Sequence, residues 1–196
     1  MRRFLSLTAA CTLLVFGGLA RAQQIDFTVG GSTLFSSAPT SASLAYPPPA
    51  EKGGVYPDAS IQIMFKRFGF NAEGAFRYKE GLYLGLQRYR PVLYDVNAVL
   101  APHLTKKITA DLMAGVGGES ILFYNKFNCT TTTGSCPSYV SGNHFLLHAG
   151  AGPRYYFLGS FFVRPEAHYY FVLNNTQFHS DHILRLGASI GYTFGR

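Results

Sequence analysis

The chain of 196 residues has no tryptophan, only three cysteines, and charged residues amounting to 14% of its length. The scarcity of charge is the most restrictive of these. No basic cluster exceeds Lys66-Arg67 or Lys106-Lys107, so nucleic-acid binding has no footprint. Beyond the N-terminus no apolar run approaches the roughly 20 residues that a membrane helix needs. Metal-ligand spacing is weak, with His179 and His182 at the mouth of the last loop as a minor surface candidate. His144 and His148 have the spacing of a helical zinc pair, but on a strand four residues span about 13 Å, too far for one ion. The glycines at 115, 117 and 118 do not open a helix, which excludes a dinucleotide loop. No cofactor is expected.

The chain does hold a leader-like start. Arg2 and Arg3 precede an apolar run over 4–19, followed by Ala20-Arg21-Ala22. A basic start, a short apolar core and an A-x-A site predict a secretory signal peptide over 1–22, removed after Ala22. Cys11 lacks the aliphatic residue three positions earlier that a lipoprotein site uses. Residues 23–196 then form one domain, and the formal charge of +7 shrinks when Arg2, Arg3 and Arg21 leave.

Eight segments of that domain alternate with the strand period of two. They cover 25–35, 59–65, 68–78, 92–102, 107–124, 144–157, 161–173 and 182–194. The last is the most regular. Leu184, Leu186, Ala188, Ile190, Tyr192 and Phe194 share one face, and mostly small or polar residues share the other. The connections alternate long and short: 36–58, 66–67, 79–91, 103–106, 125–143, 158–160 and 174–181. Membrane barrels have an even number of strands, tight periplasmic turns and longer outer loops. The pattern predicts an all-β fold: an eight-stranded antiparallel up-and-down transmembrane β-barrel, apolar outward and polar inward. Pro153 and Pro165 fall inside strands six and seven, on the outward face, where bulges or missing ladder bonds are expected.

The signal peptide, the eight strands, the long outer loops and the terminal aromatic strand resemble the OmpA-like or OmpX-like outer-membrane β-barrel superfamily. The resemblance is architectural and spans nearly all of the mature chain. It implies that Leu186, Ala188, Ile190, Tyr192 and Phe194 form the C-terminal signal read by the barrel assembly machinery. Here Gly195 and Arg196 follow the aromatic, a departure from the usual ending. It also implies partners: outer-membrane lipid and lipopolysaccharide, and an extracellular loop partner that the sequence does not identify. A monomer is expected.

The inward positions carry both signs of charge. Glu73, Asp111, Arg154, Arg164 and Glu166 are expected in a lower layer. Arg77, Asp95, Glu119 and Arg185 are expected in an upper one, with His148 and His168 nearby. An eight-stranded barrel is only wide enough for side chains to fill it, so these groups read as a plug of ion pairs rather than a path. Cys129 and Cys136 lie in the third long connection and read as a disulfide, with free thiols or a metal pair as alternatives. The function expected is structural or surface-interactive, serving envelope integrity or adhesion. Two other readings are a transporter of small apolar solutes and a lipid-modifying enzyme. The enzyme would need Ser120 and His182 together, but they lie on strands that are not neighbours, so no catalytic residue is assigned.

Overall fold

The structure is a computed structural model that describes residues 24–36, 50–124, 139–175, 177–178 and 180–195. The predicted signal peptide, Cys129, Cys136 and His179 lie outside the described residues. The strands are β1 (Gln24–Ser36), β2 (Tyr56–Phe65), β3 (Phe68–Phe76), β4 (Gly81–Tyr83), β5 (Gln87–Leu100), β6 (Ile108–Tyr124), β7 (Tyr139–Leu158), β8 (Phe161–Val172) and β9 (His182–Phe194). Every pairing is antiparallel. The ring runs β1-β2-β3-β5-β6-β7-β8-β9 and closes where β9 pairs β1 from Ile25↔Phe194 to Ser36↔Ile183. It is a closed eight-stranded up-and-down barrel.

Alternation sorts the side chains between two environments. Val29, Phe70, Val96, Val116, Leu147 and Ile190 ring the outside at 44–61% exposure. So much exposed apolar surface on every strand requires an apolar solvent, and a lipid bilayer supplies it. Near the short-turn end, Phe27, Phe161, Tyr192 and Phe194 form edge-to-face contacts at 4.7–5.8 Å. This is where an aromatic girdle belongs.

The two outward prolines act on one seam. The β7–β8 ladder lapses after Ala151↔Ala167 and resumes in the same register at Tyr155↔Val163. Pro153 and Pro165 stand opposite each other inside this gap, and neither has a hydrogen to donate. The true irregularity comes later, between Tyr156 and Leu158, next to the Gly159 turn.

Three strands start earlier than the alternation predicts, and one was not predicted. β5 begins at Gln87 rather than 92 and forms a hairpin with β4 inside the expected loop 79–91. Pro91 is tolerated there because its carbonyl accepts from the Arg77 N–H at 3.1 Å. Its nitrogen therefore faces the same side, where β3 has just ended at Phe76↔Val92. The tip of the hairpin turns at Leu84 and Gly85, both with positive φ. β2 starts at Tyr56, and β7 starts at Tyr139 because 139–143 pairs β6.

As a result β4, β5, β6 and β7 rise as a wall on one side. Past the last β7–β8 pair at Leu146, β7 runs on to Tyr139 beside β6, on the order of 24 Å of strand. The connections at this end are long, and those at the other end are short.

This arrangement fixes a topology. In a background with Cys129 and Cys136 changed to serine, a membrane-impermeant maleimide should label Leu86→Cys on intact cells. Arg67→Cys should react only after permeabilisation. The opposite pattern would invert the barrel.

Candidate functional site

The interior is packed in alternating apolar and polar layers. At the short-turn end Met64, Val99, Ala101 and Met113 close the base. Above them sits an ionic cluster. Arg154 donates to Asp26 at 2.6 Å, to Asp111 at 2.6 and 3.2 Å, and to the Tyr156 hydroxyl at 3.1 Å. Its guanidinium also lies 4.6 Å over the Phe162 ring. Arg164 reaches Glu166 at 2.7 Å and Asp111 at 3.4 Å. Both arginines are 1% exposed, so their charge is compensated by these partners and not by water.

The next layer is a hydrogen-bonded imidazole pair. His148 and His168 stack with centroids 5.1 Å apart, and the His148 Nε2 to His168 Nδ1 distance is 3.0 Å. His148 Nδ1 meets Asn97 Oδ1 at 2.6 Å, and Asn97 donates to Asp95 and Asn71. His168 Nε2 stands 3.7 Å from Glu166. A chain of polar contacts thus links Glu166 to Asp95 across the barrel. A Cβ on Gly150 would fall 3.0 Å from the His148 ring, so the absence of a side chain there makes room for the pair.

Arg185 pairs with Glu73, not with the Glu119 of the expected upper layer. Its guanidinium lies 5.7 Å over Tyr170. Around and above it, Leu34, Tyr56, Leu93, Leu146, Val172 and Ile183 form an apolar septum. The interior is therefore not polar throughout, as the small and polar residues of the last strand suggested.

Above the septum, at the outer mouth, Glu119 meets Glu51, a residue of the first long connection. Both are fully buried. Asn175 Nδ2, from the last long connection, donates to Glu119 Oε2 at 3.2 Å, while Phe178 N–H donates to Asn175 Oδ1 at 3.1 Å. Arg77 donates to the Tyr89 hydroxyl at 2.8 Å beside the pair. Neither oxygen of Glu51 has a donor, nor does Glu119 Oε1. Two ionised carboxylates cannot donate to each other, whereas one proton lets one carboxyl donate to the other. Phe178, Tyr89 and Ile121 cover this mouth, flanked by Tyr83 and Phe123.

Asp26, Asp58 and Glu51 are interior carboxylates that the alternation argument did not assign. Asp26 could have been found, because it sits between outward Ile25 and Phe27. Asp58 fell just before the predicted start of β2. Glu51 lies in a loop, where no periodicity marks it. Ser120 and His182 stay apart on β6 and β9, which are not neighbours, and His182 Nδ1 is engaged by the Tyr169 hydroxyl at 2.5 Å. Among the described residues no cluster of His, Cys, Asp or Glu could hold a metal ion.

No protein-family model matches the chain, and neither does any curated protein sequence. Solved structures do. Ail, the attachment invasion locus protein of Yersinia pestis, solved with the heparin analogue sucrose octasulfate, matches with a TM-score of 0.58 at 14% identity, covering 87% of this chain and 98% of Ail. The N-terminal β-barrel domain of Pseudomonas aeruginosa OprF matches with a TM-score of 0.58 at 12% identity, over 88% and 98%. OprG of Pseudomonas aeruginosa matches with a TM-score of 0.57 at 10% identity, over 90% and 98%. The fold is that of the eight-stranded outer-membrane barrels.

Two outcomes follow from the interior. Glu73→Gln strands the Arg185 guanidinium without its carboxylate and should cost about 3–5 kcal/mol, read as a lower urea midpoint of the heat-modifiable band. Adding Arg185→Met should restore part of that loss, and no recovery would mean that the two are not partners.

The second concerns pH. Burial holds the Glu51 carboxyl above its ordinary value of 4.5, against the opposing pull of its contact with Glu119 and the Arg77 charge. A raised carboxyl stabilises the fold fully below its unfolded pKa and loses that contribution as pH rises through the folded pKa. Tyr56, Tyr89 and Arg77 face the same space, and His144 is the cross-strand partner of Glu119. Hydrogen-exchange protection factors at 50–55, with the intrinsic base catalysis of exchange divided out, should therefore fall as pH rises from acid to neutral and beyond. Glu51→Gln, which supplies its own donor, should flatten that profile, whereas a flat wild-type profile would remove the shared proton.

Proposed function

We propose that this chain is an integral outer-membrane β-barrel that acts structurally and at the cell surface, with a lumen closed to solutes. The observation that carries the reading is the filled interior. Apolar layers at the base, the septum and the mouth enclose the ionic clusters, and Arg154, Arg164 and Arg185 are at most 1% exposed. With the bore occupied, the surface left for interaction is the wall of β4 to β7 and its loops. Residues 1–22 act as the exported leader, and Leu186, Ala188, Ile190, Tyr192 and Phe194 serve the barrel assembly machinery. Cys129 and Cys136 form a loop disulfide. The barrel works as a monomer in contact with lipid and lipopolysaccharide.

The neighbours support a surface role in general terms, since one of them is an attachment protein by name. An enzyme reading finds no support in the separation of Ser120 from His182. A transporter would need a continuous cavity past the septum of Leu34, Leu93, Leu146 and Ile183, and this region is packed with side chains.

Planar-bilayer recording tests the closed lumen. The wild-type barrel should insert without steady conductance. Stable, ion-selective steps from the wild type would favour the channel reading. A deletion strain should show raised detergent sensitivity if the envelope role holds.

A further inference from the structure

The outward face of β5 changes chemistry along its length. Leu100, Ala98, Val96, Tyr94 and Val92 point outward over the lipid-facing zone, and Arg90 and Arg88 continue the same row. With a period of two, the guanidiniums stand directly above the apolar stripe, about 7 Å apart along the strand. Lys79 and the 62%-exposed Tyr78 approach from the connection after β3. These residues, with Glu80 and Leu82, line a hollow of about 490 Å³.

Inside the hollow the cations are partly fixed. Arg90 donates to the Tyr78 carbonyl at 3.4 Å and lies 5.8 Å over the Tyr124 ring. Arg88 meets Glu80 through Nη1 at 3.0 Å and keeps its side chain 49% exposed. Three cations therefore surround one carboxylate. Towards the long-loop end of other strands the outward residues are uncharged or weakly basic: Phe35, Phe145, Phe171, His182 and Leu184. Among the described residues, Lys79, Arg88 and Arg90 gather on one side of the barrel, at the upper border of its apolar belt.

We infer that this hollow holds the phosphate group of an outer-leaflet lipid, with Arg88 and Lys79 facing the phosphate and Arg90 anchored behind them. The inference rests on the outer-membrane reading above. Position selects a lipid over a soluble anion. The cations continue the stripe of Val92, Tyr94 and Val96, so an acyl chain can lie on the stripe while its phosphate meets the guanidinium donors. A free phosphate would gain the guanidinium contacts but no burial of apolar surface against the stripe. The planar donor fork of arginine matches phosphate oxygens.

The test uses the full mature barrel in maltoside micelles, which carry no phosphate. Bisphosphorylated lipid A and its dephosphorylated form are titrated against it, with tyrosine fluorescence as the readout. Wild type should bind the phosphorylated form about tenfold more tightly, the scale of one charge-assisted contact. Lys79→Gln with Arg88→Gln should abolish that preference. Lys66→Gln with Arg67→Gln removes the same charge from the other end and should leave the preference intact. Equal loss in both double variants would reduce the effect to net charge and overturn the site. Displacement of lipid A by inorganic phosphate at comparable concentration would make this a free-anion site and overturn the lipid assignment. The gel shift and insertion into phosphatidylcholine vesicles are measured separately for every protein. A wild type that fails to insert would defeat the membrane reading itself, while normal insertion without phosphate preference defeats only the site.

Discussion

The β1–β9 seam is the constraint on which the rest depends. In lipid, an unpaired backbone N–H or C=O costs several kcal/mol, so a sheet can cross only if it has no edge. Pairing from Ile25↔Phe194 to Ser36↔Ile183 removes the last edge. Closure with eight strands then sets the bore. It is only wide enough for side chains to fill, so the buried arginines there are compensated by carboxylates and not by bulk water. The ion pairs follow from this geometry. Arg154, Arg164 and Arg185 each find carboxylates because a buried, uncompensated guanidinium would break the barrel it sits in.

The same seam logic explains where irregularity is allowed. Two prolines share one gap between β7 and β8, so a single interruption absorbs two missing donors. Pro91 is placed where β5 has lost β3 as a neighbour. Above the ring the requirement lapses, because water can satisfy backbone groups. There β4 to β7 run on as an open wall with a free edge at β4. Below the wall the barrel is bound by lipid chemistry. The wall itself is free to carry charge, and Arg88 and Arg90 mark the change on a single strand.

The three packed interior layers differ in kind. The base and septum are apolar and insensitive to pH. The mouth is a carboxyl pair contributed by a loop and a strand, so its strength depends on a proton. The first and last long connections both reach it, through Glu51 and Asn175. Loop conformation and interior packing are therefore linked at one point, at the face of the barrel that meets the outside.

Period-two alternation determined the eight strands of the ring, the closed class of fold and the inward or outward direction of nearly every spanning residue. β9 was legible to the residue, because each of its positions faces either lipid or the packed interior, and both environments select strongly. The wall was less legible. Residues 81–83 and 139–143 stand above the lipid-facing belt, where no apolar solvent enforces alternation, so Ser141, Gly142 and Asn143 read as loop. Parity also placed Glu73, Asp111, Glu119 and Arg185 inside, but it could not pair them. Height along the axis depends on strand tilt and stagger, which appear only once the ring closes. That is why Arg185 meets Glu73 and Glu119 meets Glu51, a loop carboxyl that only the folded chain brings into the mouth.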